Sequence, residues 1–103
     1  MKRTDIIQSL IDKVGAENYL EVGVSAGENF RDIKCKNKVG VDPEPSTPAT
    51  IHTDSDSFFK DNKRTFDVIF IDGLHHADQV YRDINNSLAI LNDKGFIVCH
   101  DMN

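Results

Sequence analysis

Residues 19–30 read YLEVGVSAGENF, an apolar run that leads into two glycines four positions apart. The run is typical of a strand, and residues 26–33 are predicted to form the helix that follows it. Gly23 and Gly27 stand where the strand turns into this helix, and a glycine there lets the backbone approach a ligand that a Cβ atom would block. The stretch therefore predicts a strand, a ligand-binding turn and a helix.

Strands and helices are predicted to alternate along the rest of the chain. The other apolar runs that predict strands are NKVGVD (37–42), TIHTD (50–54), FDVIFID (66–72) and GFIVCHD (95–101). Further helices are predicted over residues 5–14, 57–63 and 77–91. Because DVIFI and FIVC are almost continuously apolar, their strands should be covered on both faces, as in a parallel sheet. The pattern predicts an α/β fold with right-handed crossovers.

Local signals refine these elements. Thr4 is expected to cap the first helix and Gly15 to end it. In the last helix one apolar stripe is expected; it comprises Val80, Ile84, Leu88 and Leu91. The side chains expected in the core of the sheet are Val22, Val39, Val41, Val68, Phe70, Ile97 and Cys99.

Composition limits the classes of protein to consider. The chain has 103 residues, 39% of them hydrophobic and 28% charged, which predicts one globular domain over residues 1–103. It holds no apolar run of about 18 residues, so no membrane span is expected and a cytoplasmic location is predicted. With a net charge of −5 and no basic run, it is not expected to bind nucleic acid. Cys35 and Cys99 lack metal-site spacing and are expected to be reduced thiols. All three prolines lie in residues 42–50, which are expected to form a surface loop rather than a linker.

Acidic residues stand at or near the carboxyl ends of the predicted strands. These residues are Glu21, Asp42, Asp54, Asp72 and Asp101. An open parallel sheet binds its ligands outside the carboxyl ends of the strands. The acids therefore predict a binding site at that edge of the sheet.

The spacing E-x-G-x-x-x-G in a strand-turn-helix context resembles motif I of class I S-adenosylmethionine-dependent methyltransferases. A dinucleotide fingerprint, G-x-G-x-x-G, would need a glycine where Ser25 stands, so a nicotinamide-dependent oxidoreductase is disfavoured. The resemblance implies that Glu21, Gly23, Ser25 and Gly27 contact the cofactor.

Two later segments extend the resemblance. Asp42 follows a second strand, where a carboxylate can accept hydrogen bonds from both ribose hydroxyls, and it matches the second motif of the family. HTDSDSFF, residues 52–59, resembles the segment after the third strand, which implies that Asp54 and Ser55 face the adenine. The alternative is that Ser55 or Asp56 only caps the following helix.

Residues 66–103 resemble a subfamily related to macrocin O-methyltransferase, whose members act on sugars and natural products. In the catechol-type O-methyltransferases, acids at the positions of Asp72 and Asp101 hold a divalent cation such as Mg²⁺, although Met102 stands where those enzymes have Asn. The resemblance also places Asp72 beside the cofactor. His75 takes the place of their catalytic lysine and is the implied general base, with a loop or capping histidine as the alternative.

Methyltransferases of this class have seven strands in the order 3-2-1-4-5-7-6, and this sequence ends after the fifth. The resemblance implies a Rossmann-like open parallel sheet in the order 3-2-1-4-5, with helices on both faces and without the last two strands. Either the chain is truncated, or a partner covers an exposed edge that is open to self-association.

The function implied is transfer of a methyl group from S-adenosylmethionine to a hydroxyl of a small-molecule acceptor, a sugar or natural product. This chain alone is expected to be inactive, because part of the acceptor pocket would lie beyond Asn103. The alternative is a non-catalytic cofactor-binding or interaction module with the same fold.

Overall fold

The computed structural model describes residues 2–72 and 77–100, with the side chain of His100 excepted. Its helices and strands are, in chain order, α1 (Arg3–Val14), β1 (Asn18–Val22), α2 (Glu28–Asp32), β2 (Asn37–Val41), α3 (Ser55–Asp61), β3 (Phe66–Asp72), α4 (Ala77–Ala89) and β4 (Leu91–His100). The predicted alternation of strands and helices is confirmed. In these two ranges no helix combines the length and the apolar character that a membrane crossing needs.

All four strands are parallel and lie in the order β2-β1-β3-β4. Strand β1 is central, so that Val22 at its end pairs with Val41 of β2 and with Ile71 of β3. The carboxyl ends of these three strands therefore meet at one edge of the sheet. The parallel pairing expected between FDVIFID and GFIVCHD is confirmed, with Ile69 beside Ile97.

The predicted five-stranded order 3-2-1-4-5 is wrong, because residues 50–54 do not form a strand. Ile51 makes only an isolated parallel bridge with Val41 of β2, and its side chain is 38% exposed. Asp54 already caps α3, so only a short segment is left to run beside β2. The described sheet consequently has four strands.

Helices cover the two faces of the sheet and bury a core on each. On the first face the buried residues include Ile7, Ile11, Tyr19, Phe30, Val68 and Phe70, contributed by α1, α2 and the strands. On the second face they include Leu20, Val22, Phe58, Ile69, Ile71 and Val80, contributed by α3, α4 and the strands. Burial on both faces explains why β3 is apolar at almost every position.

Strand β4 is less buried than its sequence predicts. Ile97 is only partly buried, and Cys99 is exposed, so the prediction that both lie in the core is wrong. In the described part of the chain, β4 pairs with β3 on one side and with no strand on the other. An edge strand keeps apolar residues without the second neighbour that would bury them.

Two helix predictions also need correction. In α4 the fully buried residues are Val80, Asp83 and Ser87, while Leu88 is 58% exposed and Leu91 already belongs to β4. In α1 the helix begins at Arg3, and Thr4 is not its cap. The Thr4 hydroxyl instead donates a hydrogen bond of 2.7 Å to Asn29 Oδ1 in α2. Gly15 ends α1 in the left-handed conformation, as predicted.

Candidate functional site

The turn after β1 is built from left-handed residues. Gly23 has a φ angle of 90°, Ser25 of 54° and Gly27 of 85°. Ser25 occupies the position where a dinucleotide fingerprint has glycine, and it adopts the backbone conformation that glycine favours. The turn thus has the shape of a glycine-rich loop although its middle residue carries a side chain.

The loop over residues 42–50 packs against this turn. Asp42 Oδ2 accepts a hydrogen bond of 2.9 Å from the Ser25 amide, and Asp42 Oδ1 accepts one of 3.0 Å from the Glu44 amide. A Cβ atom on Gly27 would clash with Pro48 Cγ, so the proline ring excludes a side chain at this position. The turn and the proline-containing loop therefore form one packed unit.

Three cavities meet at Gly23. The first, of about 380 Å³, is bordered by Ser25, Asp42, the 44–47 loop and Asp72. The second, of about 300 Å³, is bordered by Glu21, the turn and again Asp72. The third, of about 160 Å³, is bordered by Asp54 and Ser55. All eight residues predicted to bind a cofactor therefore line one continuous region at the carboxyl ends of β1, β2 and β3.

Glu21 is the most buried acid of this region, at 1% exposure. Its Oε1 atom accepts two hydrogen bonds of 2.6 Å, from the Tyr19 hydroxyl and from Asn29 Nδ2. Burial raises the pKa of Glu21 from 4.5 to about 7, although the hydrogen bonds from Tyr19 and Asn29 oppose this rise. Near neutral pH the carboxyl is thus poised between its two protonation states, and a cation in the cavity would favour the charged one.

Asp54 and Ser55 begin α3 on the third cavity. Asp54 caps the helix by accepting a 2.7 Å hydrogen bond from the Ser57 amide, and this bond lowers the pKa of Asp54. The Ser55 hydroxyl donates a 2.7 Å hydrogen bond to the buried Asp83 of α4. The alternative that Ser55 or Asp56 caps the helix is therefore wrong, because Asp54 is the cap and Ser55 instead ties α3 to α4. Asp54 and Ser55 both border the cavity.

Asp72 ends β3 and is 7% exposed, at the junction of the first and second cavities. The predicted base His75 and the second predicted metal ligand Asp101 lie outside the described residues, so their roles stay predictions. Within residues 2–72 and 77–100 there is no cluster of three or more potential metal ligands.

Three residues at the site were not expected from the sequence. Arg3 reaches the second cavity from α1, Gln79 lines the third from α4, and Asn29 holds Glu21 from α2. Arg3 precedes the segment that carries the family resemblance, and the pairing of Asn29 with Glu21 depends on how α2 packs. Gln79 donates hydrogen bonds to Ser55 and Asp83, and these contacts depend on the packing of α3 against α4, which no local pattern predicts.

Comparison with known proteins agrees with this fold. The chain is similar to the N-methyltransferase NodS from Bradyrhizobium japonicum WM9, with 23% sequence identity and a TM-score of 0.73. The match covers 94% of this chain and 65% of that one, so this chain spans about two thirds of its length. No curated protein matches the sequence. A family model described as a methyltransferase domain matches residues 17–102, which includes every strand and all predicted site residues. The chain therefore belongs to the methyltransferase domain family.

Proposed function

We propose that this chain binds S-adenosylmethionine across the three cavities and supports transfer of its methyl group to a small-molecule acceptor. The observation that carries the proposal is the meeting of these cavities at the Gly23–Gly27 turn, with at least one carboxylate beside each of them. S-adenosylmethionine is cationic at its sulfonium and ammonium groups, and carboxylates attract both. Membership of the methyltransferase domain family supports the same cofactor.

Each part of the cofactor has a complementary surface in this arrangement. The adenine is proposed to occupy the small cavity beside Asp54 and Ser55. The ribose hydroxyls donate to Asp42, whose oxygens each retain a lone pair beyond the bonds from Ser25 and Glu44. The amino-acid end enters the cavity of Glu21, where the carboxylate accepts from the ammonium group.

The reaction proposed is O-methylation of a sugar or natural-product hydroxyl, as in the subfamily related to macrocin O-methyltransferase. The methyl carbon leaves sulfur and bonds to the acceptor oxygen, the electron pair of the broken bond stays on sulfur, and the hydroxyl proton passes to a base. Asp72 lies between the ribose and amino-acid cavities, where the sulfonium would stand. His75 is proposed as the base.

A divalent cation is proposed as an addition to this site. Asp72 offers carboxylate oxygens, the donor type that Mg²⁺ prefers, and Asp101 would be the second ligand. When bound, the cation would lower the pKa of the acceptor hydroxyl.

Calorimetric titration with S-adenosylmethionine and S-adenosylhomocysteine, with and without Mg²⁺, tests the proposal. The wild-type chain should bind both, and Asp42→Asn should weaken binding by roughly 1.5 to 3 kcal/mol, the worth of a hydrogen bond to a charged group. Asp93→Asn, at an exposed position away from the cavities, is the matched control. Absence of binding by the folded wild-type chain would overturn the proposal.

The acceptor is tested separately by methyl transfer to sugars, catechols and amines. Amines belong in the panel because the similar protein NodS is named an N-methyltransferase. Transfer to amines with none to hydroxyls would refute O-methylation and leave the cofactor assignment intact.

A further inference from the structure

The cavity that Glu21 lines also has a basic side chain in its wall, and none of the sequence motifs explains that side chain. Its described lining includes the acids Glu21, Glu28 and Asp72, and Arg3 is the only basic residue in that lining. Arg3 is the first residue of α1, before the segment matched by the family model. No sequence motif therefore assigns it a role.

The Arg3 guanidinium group has N–H donors that could bind a ligand. It lies over the Phe70 ring, with its carbon 5.9 Å from the ring centroid. Among residues 2–72 and 77–100 it forms neither an ion pair nor a side-chain hydrogen bond. A cation–π contact of this kind uses the face of the guanidinium group, so its planar N–H fork remains available.

The backbone that carries Arg3 is fixed beside the site. Ile7 and Ile11 of α1 are 0% and 4% exposed in the core of the first face. The adjacent Thr4 donates to Asn29, and Asn29 donates to Glu21. A short chain of hydrogen bonds thus links the start of α1 to the Glu21 carboxylate, which lines the same cavity.

An α-amino acid group needs two kinds of partner, an acceptor for its ammonium and donors for its carboxylate. Carboxylates alone would attract the first and repel the second. We infer that Arg3 binds the carboxylate of the amino-acid end of the ligand while Glu21 binds its ammonium group, so that α1 is part of the binding site. This inference rests on the proposed function, because it assigns one end of the same cofactor.

The competing explanation is that Arg3 only balances the charge of Glu21. Arg3 does favour the ionised form of Glu21 through its positive charge, which lowers the pKa of that carboxyl against the dominant effect of burial. Such an indirect role would affect every ligand that carries the ammonium group, with or without a carboxylate. The two roles are therefore separable by the choice of ligand.

The test is calorimetric titration of the wild-type chain and Arg3→Met with S-adenosylhomocysteine and with its decarboxylated analogue. Arg3→Met should weaken binding of S-adenosylhomocysteine by roughly 10- to 100-fold, as expected for a charge-assisted hydrogen-bonded pair, and should leave binding of the analogue within about twofold. Arg31→Met removes an exposed arginine of α2 that does not line this cavity and is the matched control. Thermal unfolding of each variant checks that α1 remains docked.

Each outcome has a distinct meaning. Equal losses for both ligands would show charge balance and overturn the inference, as would an unchanged affinity for S-adenosylhomocysteine. If the wild-type chain bound neither ligand, the proposed function itself would fail and this inference with it.

Discussion

Replacing Glu21 by Gln should make the protein more stable at pH 8 while removing its affinity for a cationic ligand. Glu21 is buried, and its Oε1 atom accepts hydrogen bonds from Tyr19 and Asn29. The amide oxygen of Gln has nearly the same shape and can accept both bonds. The substitution therefore removes the charge and leaves the packing and these two bonds in place.

The size of the effect follows from the pKa of Glu21, which burial raises from 4.5 to about 7. At about 1.4 kcal/mol per pKa unit, ionising this carboxyl in the folded state costs on the order of 3 kcal/mol of stability above pH 7. Because the folded-state pKa is the higher one, Glu21 is neutral in both states below pH 4.5 and causes no loss there. The loss grows as the pH rises from 4.5 to 7 and then becomes constant.

Urea unfolding of wild type and Glu21→Gln at intervals between pH 4.5 and 8.5 measures this difference. The free energy of unfolding of the variant should exceed that of wild type by an amount that increases up to pH 7 and then levels off. Glu28→Gln changes an exposed acid of the same cavity and should show no such increase. A difference independent of pH, or a variant less stable than wild type at pH 8, would refute the assignment of a buried, strained charge to Glu21.

Three further predictions concern the turn and the edge of the sheet. Gly27→Ala should destabilise the fold by at least about 1 kcal/mol, because the new Cβ would meet Pro48 and the φ angle of residue 27 is positive. Thermal unfolding measures this loss, and an unchanged melting temperature would contradict the packing of the loop on the turn. Ser25→Gly should be neutral or stabilising by up to about 1 kcal/mol in the same assay, since φ is 54° there, and a clear loss would show that the Ser25 side chain has a structural role. Self-association through the β4 edge should appear in sedimentation velocity as a larger species at higher protein concentration. Cys99→Lys places a charge on that strand and should shift the equilibrium toward the monomer. Equal association of wild type and variant would argue against this edge.

The sequence predicts four of the five expected strands correctly, and it predicts which acids lie at the carboxyl ends of the strands, because both depend on simple patterns. Residues 66–72 are apolar at nearly every position, and only a strand covered on both faces needs that pattern. Once β1, β2 and β3 are parallel neighbours, Glu21, Asp42 and Asp72 must come to the same edge. Topology alone therefore brings together acids that are far apart in the chain.

The incorrect predictions concern residues whose secondary structure or burial depends on tertiary packing. TIHTD has the composition of a strand, but the cap of α3 at Asp54 leaves only Ile51 to pair with β2. In α4, helical periodicity predicts that Leu88 is buried, but Leu88 is exposed, whereas Asp83 is buried and accepts a hydrogen bond from Ser55 of α3. Arg3 at the cavity follows from the docking of α1, which no local pattern encodes.

The proline-containing loop has a consequence for the thermodynamics of ligand binding. Three prolines fix their φ angles, and Pro48 is pressed against Gly27 before any ligand arrives. A wall that is already ordered loses little conformational entropy when a ligand docks against it. The conformational entropy of ordering residues 42–50 is therefore lost during folding and not during association, so the proposed ribose site is a preorganised surface.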